Sequence, residues 1–210
     1  MGKFKAITPE DTKELSELKF DLSIILNENP SFIRFVKKSL ATDDMWNFCI
    51  EKDPSIFRYK KRPSYPFCVK AVQLDGSNIQ YVPNTRDYPM LCQELCEIAV
   101  KTSPAAILLI PQIYITKNLL HLACDEDPSL MLHFRLHDAY LITRVRSNPS
   151  IVKYINPLPD HLKKIVIHAD PQCALSIPFD QWTKAMFAQL KEEWPDFAQS
   201  LSIDESKLPD

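Results

Sequence analysis

Proline recurs along the chain at near-constant intervals, each time just after an apolar helical segment. Pro30, Pro54, Pro104, Pro128, Pro149, Pro171 and Pro195 form the series, with Gly76 in the equivalent place between the second and third, and the successive spacings are 24, 22, 28, 24, 21, 22 and 24 residues. A period in this range marks stacked repeats. The residues before these anchors are Asn29, Asp53, Asp75, Ser103, Asp127, Asn148, Asp170 and Trp194, so seven of the eight are good helix N-caps. A pre-proline residue disfavours the α region and stops the incoming helix, while Asn, Asp or Ser followed by Pro at the first helical position starts the next. Each unit therefore reads as helix A, tight turn, helix B.

A second proline closes helix B at Pro63, Pro83, Pro111, Pro157 and Pro178, which limits that helix to about two turns. The opening helix follows the same grammar, with Thr8 as cap, Pro9 at the first position and Asp11 two residues on, then Leu15, Leu18, Leu22 and Ile25 on one face. Aligned on the anchor, the units share apolar columns. Four residues before it stand Leu26, Ile50, Val72, Val100, Cys124, Val145, Ile167 and Lys191; three after it stand Ile33, Phe57, Ile79, Ile107, Met131, Val152, Ala174 and Ala198. Six after it come Val36, Lys60, Val82, Ile110, Phe134, Ile155, Ile177 and Leu201, giving the short helix an i, i+3 stripe. Lys191 and Lys60 break the pattern, which points to a polar capping unit at the C-terminal end and a locally different second unit. The expected fold is all-α: an α-solenoid-like array of about eight short helix-turn-helix repeats forming one compact domain over 1–210, with 203–210 a short polar tail.

The segments 67–82 and 97–107 resemble a short α-helical repeat family of unknown function found in phages, large DNA viruses and intracellular bacteria. The resemblance is carried by the whole stretches from Phe67 to Val82 and from Glu97 to Ile107, in the third and fourth units, and it extends loosely over 44–178. It implies a helical array of viral or effector origin with a host component as partner. It brings no catalytic residues.

Two glycines against 17 prolines exclude the glycine-rich loops and nucleophile elbows that nucleotide-binding and hydrolytic folds need. No apolar run reaches the length of a membrane span, and Met1–Ala6 lacks a signal-peptide core, so the expected location is the cytoplasm, the host's if the protein is viral. The six cysteines fall mainly in apolar columns: Cys124 four before an anchor, Cys49 in register with Ala71, Ala99 and Ala123, and Cys68 and Cys96 with Leu120, Leu141 and Phe187. They read as small hydrophobes, and neither metal nor other cofactor is expected. His133 and His137 are spaced as in zinc proteases, but Phe134 stands where the glutamate base is needed, so they read as surface or capping residues. The acidic groups at 43–44, 125–127 and 192–193 fall at helix boundaries, where capping accounts for them. No catalytic residue is assigned.

The sharpest surface feature is one linker, where Arg58, Tyr59, Lys60, Lys61, Arg62 and Tyr65 interleave four cations with two aromatic rings. Such a linker suits an acidic protein segment or a phosphate backbone. Five residues after the anchor come Phe35, Tyr59, Tyr81, His133 and Tyr154, an aromatic column that reads either as packing between repeats or as a binding ladder. The function expected is that of a non-enzymatic module binding a partner protein. The alternative is a nucleic-acid-binding array using Arg34, Arg58, Lys60, Lys61, Arg62 and Lys153, and an enzyme ranks third.

Overall fold

The computed structural model describes residues 15–209, with side chains from Leu22 onward. Thr8, Pro9 and Asp11 lie outside these residues. The fold is all-α, with a single two-residue hairpin, Asn84–Thr85 against Tyr88–Pro89, among the described residues. The hairpin lies in the 28-residue interval, the longest of the series.

The α-helices are α1 Leu15–Glu28, α2 Asp43–Lys52, α3 Tyr65–Leu74, α4 Gln93–Thr102, α5 Lys117–Glu126, α6 Asp138–Ser147, α7 Asp160–Ala169, α8 Pro171–Ala174, α9 Lys184–Glu193 and α10 Pro195–Ser200. After each of α1 to α6 the short second helix is a 3-10 helix, running Pro30–Phe35, Pro54–Tyr59, Gly76–Tyr81, Pro104–Leu109, Pro128–Leu132 and Pro149–Tyr154. Only α8 and α10 keep the α form that the sequence suggested for all of them. The expected tight turn is a single extended residue that ends one helix and starts the next. Asp53 shows how: with φ −143° and ψ 92°, its backbone N–H donates to the Cys49 carbonyl and its side chain accepts from the Ser55 N–H. Asp75, Asp127, Asn148 and Asp170 cap the following helix through the same side-chain bond, to Ser77, Ser129, Ser150 and Gln172. Where serine follows the proline, its hydroxyl adds a second bond to the cap, 2.6 Å from Asp53 and from Asp127. Trp194 has no capping oxygen; its indole N–H instead donates to the Ile167 carbonyl, 3.0 Å away at the end of α7.

The chain divides at Ala123/Cys124 into two compact units, where the sequence suggested one compact domain. In unit 1, α1, α2, α3 and α4 pack in succession, and so do the four 3-10 helices that follow them. In unit 2, α7 packs against α6, α8 and α9, and the 3-10 helices Pro128–Leu132 and Pro149–Tyr154 pack together. Every residue of the column three after the anchor is buried, from Ile33 to Ala198. The column four before the anchor is buried except for exposed Lys191, whose ammonium pairs with Glu205 while Leu190 takes the core position. Among the described side chains of α1, Leu22 and Leu26 are buried and Ile25, expected inside, is 40% exposed; the side chains of Leu15 and Leu18 lie outside the described ones. Near the C-terminal end Asp204 caps Glu205–Lys207, Leu208 is buried, and the Lys184 N–H donates to the Pro209 carbonyl at 2.9 Å.

Small side chains let the layers close. Cys49, Ala71, Ala99 and Ala123, each five before an anchor, are wholly buried. Gly76 replaces proline where α4 comes nearest, since a Cβ there would collide with the Ala99 carbonyl oxygen and lie 3.0 Å from the Ser103 Cβ. The one buried amide in this layer, Asn78, donates to the Pro54 and Ala71 carbonyls at 3.0 and 3.1 Å, tying one repeat to the previous one. Gly76→Ala is expected to cost about 1–3 kcal/mol by overpacking. Asp127→Ala should cost about 1 kcal/mol through loss of its cap. Urea denaturation checks both, and an unchanged midpoint for Gly76→Ala would rule out the close approach of α4.

Candidate functional site

A 3-10 helix turns every three residues, so side chains at i and i+3 eclipse one another. This places the positions three and six after the anchor inward, the fourth outward, and the fifth at the flank. In Pro54–Tyr59 the consequence is that Phe57 is buried, Arg58 is exposed and Tyr59 is half-buried. Pro30–Phe35 repeats the arrangement with Ile33 buried and Arg34 and Phe35 exposed.

These two helices build a ladder of alternating guanidinium and aromatic groups in unit 1. The Arg34 guanidinium lies 4.5 Å from the Phe35 ring centre and 5.3 Å from that of Tyr59, and its N–H donates to the Tyr59 hydroxyl at 3.1 Å. Arg58 lies 4.9 Å from the Tyr59 ring centre, so that this ring is flanked by two cations. The bond from Arg34 holds the Tyr59 hydroxyl below the ordinary phenol range, with the nearby Arg58 charge adding to it. Tyr59 and then Tyr81 hold the Arg58 guanidinium above its ordinary value. Phe35 and Tyr81 are 58% and 41% exposed, while Tyr59 is half-buried.

The other linker residues separate. Lys60, six after its anchor, turns inward: its side chain is only 13% exposed, its ammonium bonds Asp43 at 2.7 Å, and it lies 4.9 and 5.5 Å from the Trp46 and Phe67 ring centres. It is therefore the wall of the core and not a free linker cation. Lys61 and Arg62 are exposed, and Arg62 has a left-handed backbone with φ 52°. Tyr65 is drawn away onto the start of α4, where its hydroxyl is 3.4 Å from the Cys92 sulfur and donates to Glu94 at 3.1 Å. That bonding and partial burial push its phenol pKa up. Lys153, from the nucleic-acid reading, belongs to unit 2, with its ammonium over the Tyr154 ring at 4.9 Å.

Arg34, Lys38, Lys60 and Lys61 also meet around a pocket of about 250 Å³, whose apolar side is formed by Ile33, Val36, Ala41 and Trp46. Lys38 carried no signal in the repeat pattern, because it sits in the connection between Pro30–Phe35 and α2, outside any aligned column.

Among the other candidates, His137 and Asp125 have structural partners. His137 accepts from the Ala139 N–H at 3.2 Å and caps α6. Asp125 accepts from the Tyr140 hydroxyl at 2.6 Å and pairs with Arg144. Cys49, Cys68, Cys96 and Cys124 are buried, and burial pushes each thiol up to about 11. Among the described residues no three His, Cys, Asp or Glu side chains converge as metal ligands, and no helix is long and apolar enough to cross a membrane. No family model, curated protein or solved structure matches the chain.

In a phenolate absorbance titration, Tyr59 should ionise below the ordinary phenol range, identified by its loss in Tyr59→Phe. Arg34→Gln should move that step upward, because the neutral amide no longer favours the phenolate. A Tyr59 step unmoved by Arg34→Gln would mean that the hydrogen bond is not what lowers it.

Proposed function

We propose that the chain is a non-enzymatic, α-solenoid-like interaction module of the cytoplasm, and that the ladder of unit 1 binds an acidic segment of a partner protein. The observation that carries this reading is the pair of guanidiniums held by Tyr59, Arg34 at 5.3 Å and Arg58 at 4.9 Å from its ring centre. Arginine stacked on an aromatic ring keeps its edge N–H donors for a carboxylate, and its side chain has less freedom left to lose on binding. Lys61 and Arg62, both exposed beside it, extend the cationic surface. If the resemblance to the phage, viral and bacterial repeat family holds, the partner is a host component.

The same cations could contact a nucleic-acid backbone, but single-strand binding also uses free aromatic faces on which bases stack. Tyr59, with a guanidinium from each of two repeats, is a poor platform for that.

The test is fluorescence anisotropy with a labelled Asp/Glu-rich peptide and a labelled single-stranded oligonucleotide of equal charge, over a range of salt. The peptide should bind the more tightly, and Arg58→Ala should weaken it about tenfold, as expected for a lost hydrogen bond to a charged group. Arg58→Lys should recover little, because an ammonium does not present the planar fork. Full recovery by lysine would reduce the ladder to plain charge. Tighter oligonucleotide binding with a steep salt dependence would replace the protein partner by a nucleic acid.

A further inference from the structure

The pocket beside the ladder has its own chemistry. Its cations outnumber what they are paired with: Lys60 bonds Asp43, Arg34 donates to the neutral Tyr59 hydroxyl, and Lys38 and Lys61 have no hydrogen-bond or ion-pair partner among the described residues. Among the described residues no acidic side chain lines the cavity. Three positive charges without an anion around so small a space repel one another, and an anion with more than one charge relieves that repulsion better than a single carboxylate. A phosphate monoester carries about −1.5 to −2 at neutral pH and three acceptor oxygens.

The lining also has an apolar part. Ile33 is wholly buried, Trp46 nearly so, and Val36 and Ala41 continue the surface. A ligand that fills the cavity therefore has an apolar body behind its anionic group. At about 250 Å³ the cavity is also below the roughly 300–1,000 Å³ of sites for drug-sized ligands, which favours one ring with its phosphate over a larger molecule. The aromatic groups in the wall are already engaged by cations, Trp46 by Lys60 and Tyr59 by the two arginines, so a nucleobase finds no open ring to stack on.

We propose that this pocket binds an aryl phosphate, as carried by a phosphotyrosine side chain of the partner segment. The aryl ring lies against Val36 and Ala41, and the phosphate sits among Arg34, Lys38 and Lys61. This rests on reading the face as a surface for a partner protein, and it adds a condition under which the partner is recognised.

The experiment is calorimetric titration of the full chain with phenyl phosphate, inorganic phosphate, benzoate and adenosine monophosphate. Phenyl phosphate should bind saturably and more tightly than the other three. The double variant Lys38→Ala/Lys61→Ala, at exposed positions, should weaken it about tenfold or more, with an unchanged circular dichroism spectrum. Arg58→Ala, outside the pocket, should leave phenyl phosphate binding intact. Equal binding of benzoate, tighter binding of adenosine monophosphate, or no saturable heat would each overturn the aryl phosphate assignment. The two readings fail separately: loss of acidic-peptide binding in Arg58→Ala with no phenyl phosphate binding removes the pocket alone, whereas phenyl phosphate binding with a peptide indifferent to Arg58 removes the ladder alone.

Discussion

One extended residue between two helices is the element on which the rest of the structure depends. At Asp53, Asp75 and Asp127 the carboxylate accepts the N–H two residues on, and at Asp53 and Asp75 the backbone N–H also closes the preceding helix. Proline after the cap removes a donor that would otherwise lack a partner and presets the backbone of the first helical residue. The chain can thus change direction without a loop, and both helix ends are served by one residue, through its backbone N–H and its side chain. Because there is no slack at this joint, the two helices of a unit hold a set orientation. The core columns follow from that orientation more than from the helical propensity of short segments.

The same joint decides which side chains reach solvent. A proline-started segment of six residues, closed by an extended residue, favours the tighter 3-10 turn, whose threefold repeat assigns inward and outward positions without ambiguity. Phe57 and Lys60 fall on one line, and so the lysine stem replaces an aliphatic side chain in the core while its ammonium reaches Asp43 between the Trp46 and Phe67 rings. Long cationic side chains tolerate such positions because their stems are apolar and only the tip needs a partner. Arg58, two residues earlier, falls outward for the same reason.

Much of this was legible in the sequence, and the failures have physical causes. The anchors and the buried column from Ile33 to Ala198 could be read directly, since proline geometry and burial both leave marks at set offsets; of the seven expected caps, Asn29 and Ser103 make no side-chain bond to a backbone N–H of the following helix. A 3-10 helix could not be told from a short α-helix, because over six residues both show the same i, i+3 apolar pair. The serine after the proline went unread as part of the cap, although Ser55 and Ser129 each add a hydroxyl bond to it. In the basic linker, composition grouped residues that geometry separates: Arg58 joins Arg34 from the previous repeat, Lys60 enters the core wall, and Tyr65 turns to Cys92 and Glu94. Lys38 was invisible, since its place at the pocket depends on the path of a connection and not on any periodic pattern.

A joint of this kind leaves the outward position, four after each anchor, free of structural duty. It holds Arg34 and Arg58 in the first two repeats, Gln80 in the third, and exposed Leu108, Leu132 and Leu175 further along. Backbone and core are secured by the cap and the inward columns, so a change at this position alters surface chemistry at little cost to stability. Neighbouring 3-10 helices set the fourth position of one beside the fifth position of the next, as the hydrogen bond from Arg34 to Tyr59 across 25 residues demonstrates. Two adjacent arginines then share one tyrosine, and a surface property arises that neither repeat has alone. The cationic ladder is for that reason a property of repeat order: the same arginines placed in non-adjacent repeats would each lie on an ordinary solvated surface, with no shared ring to hold them.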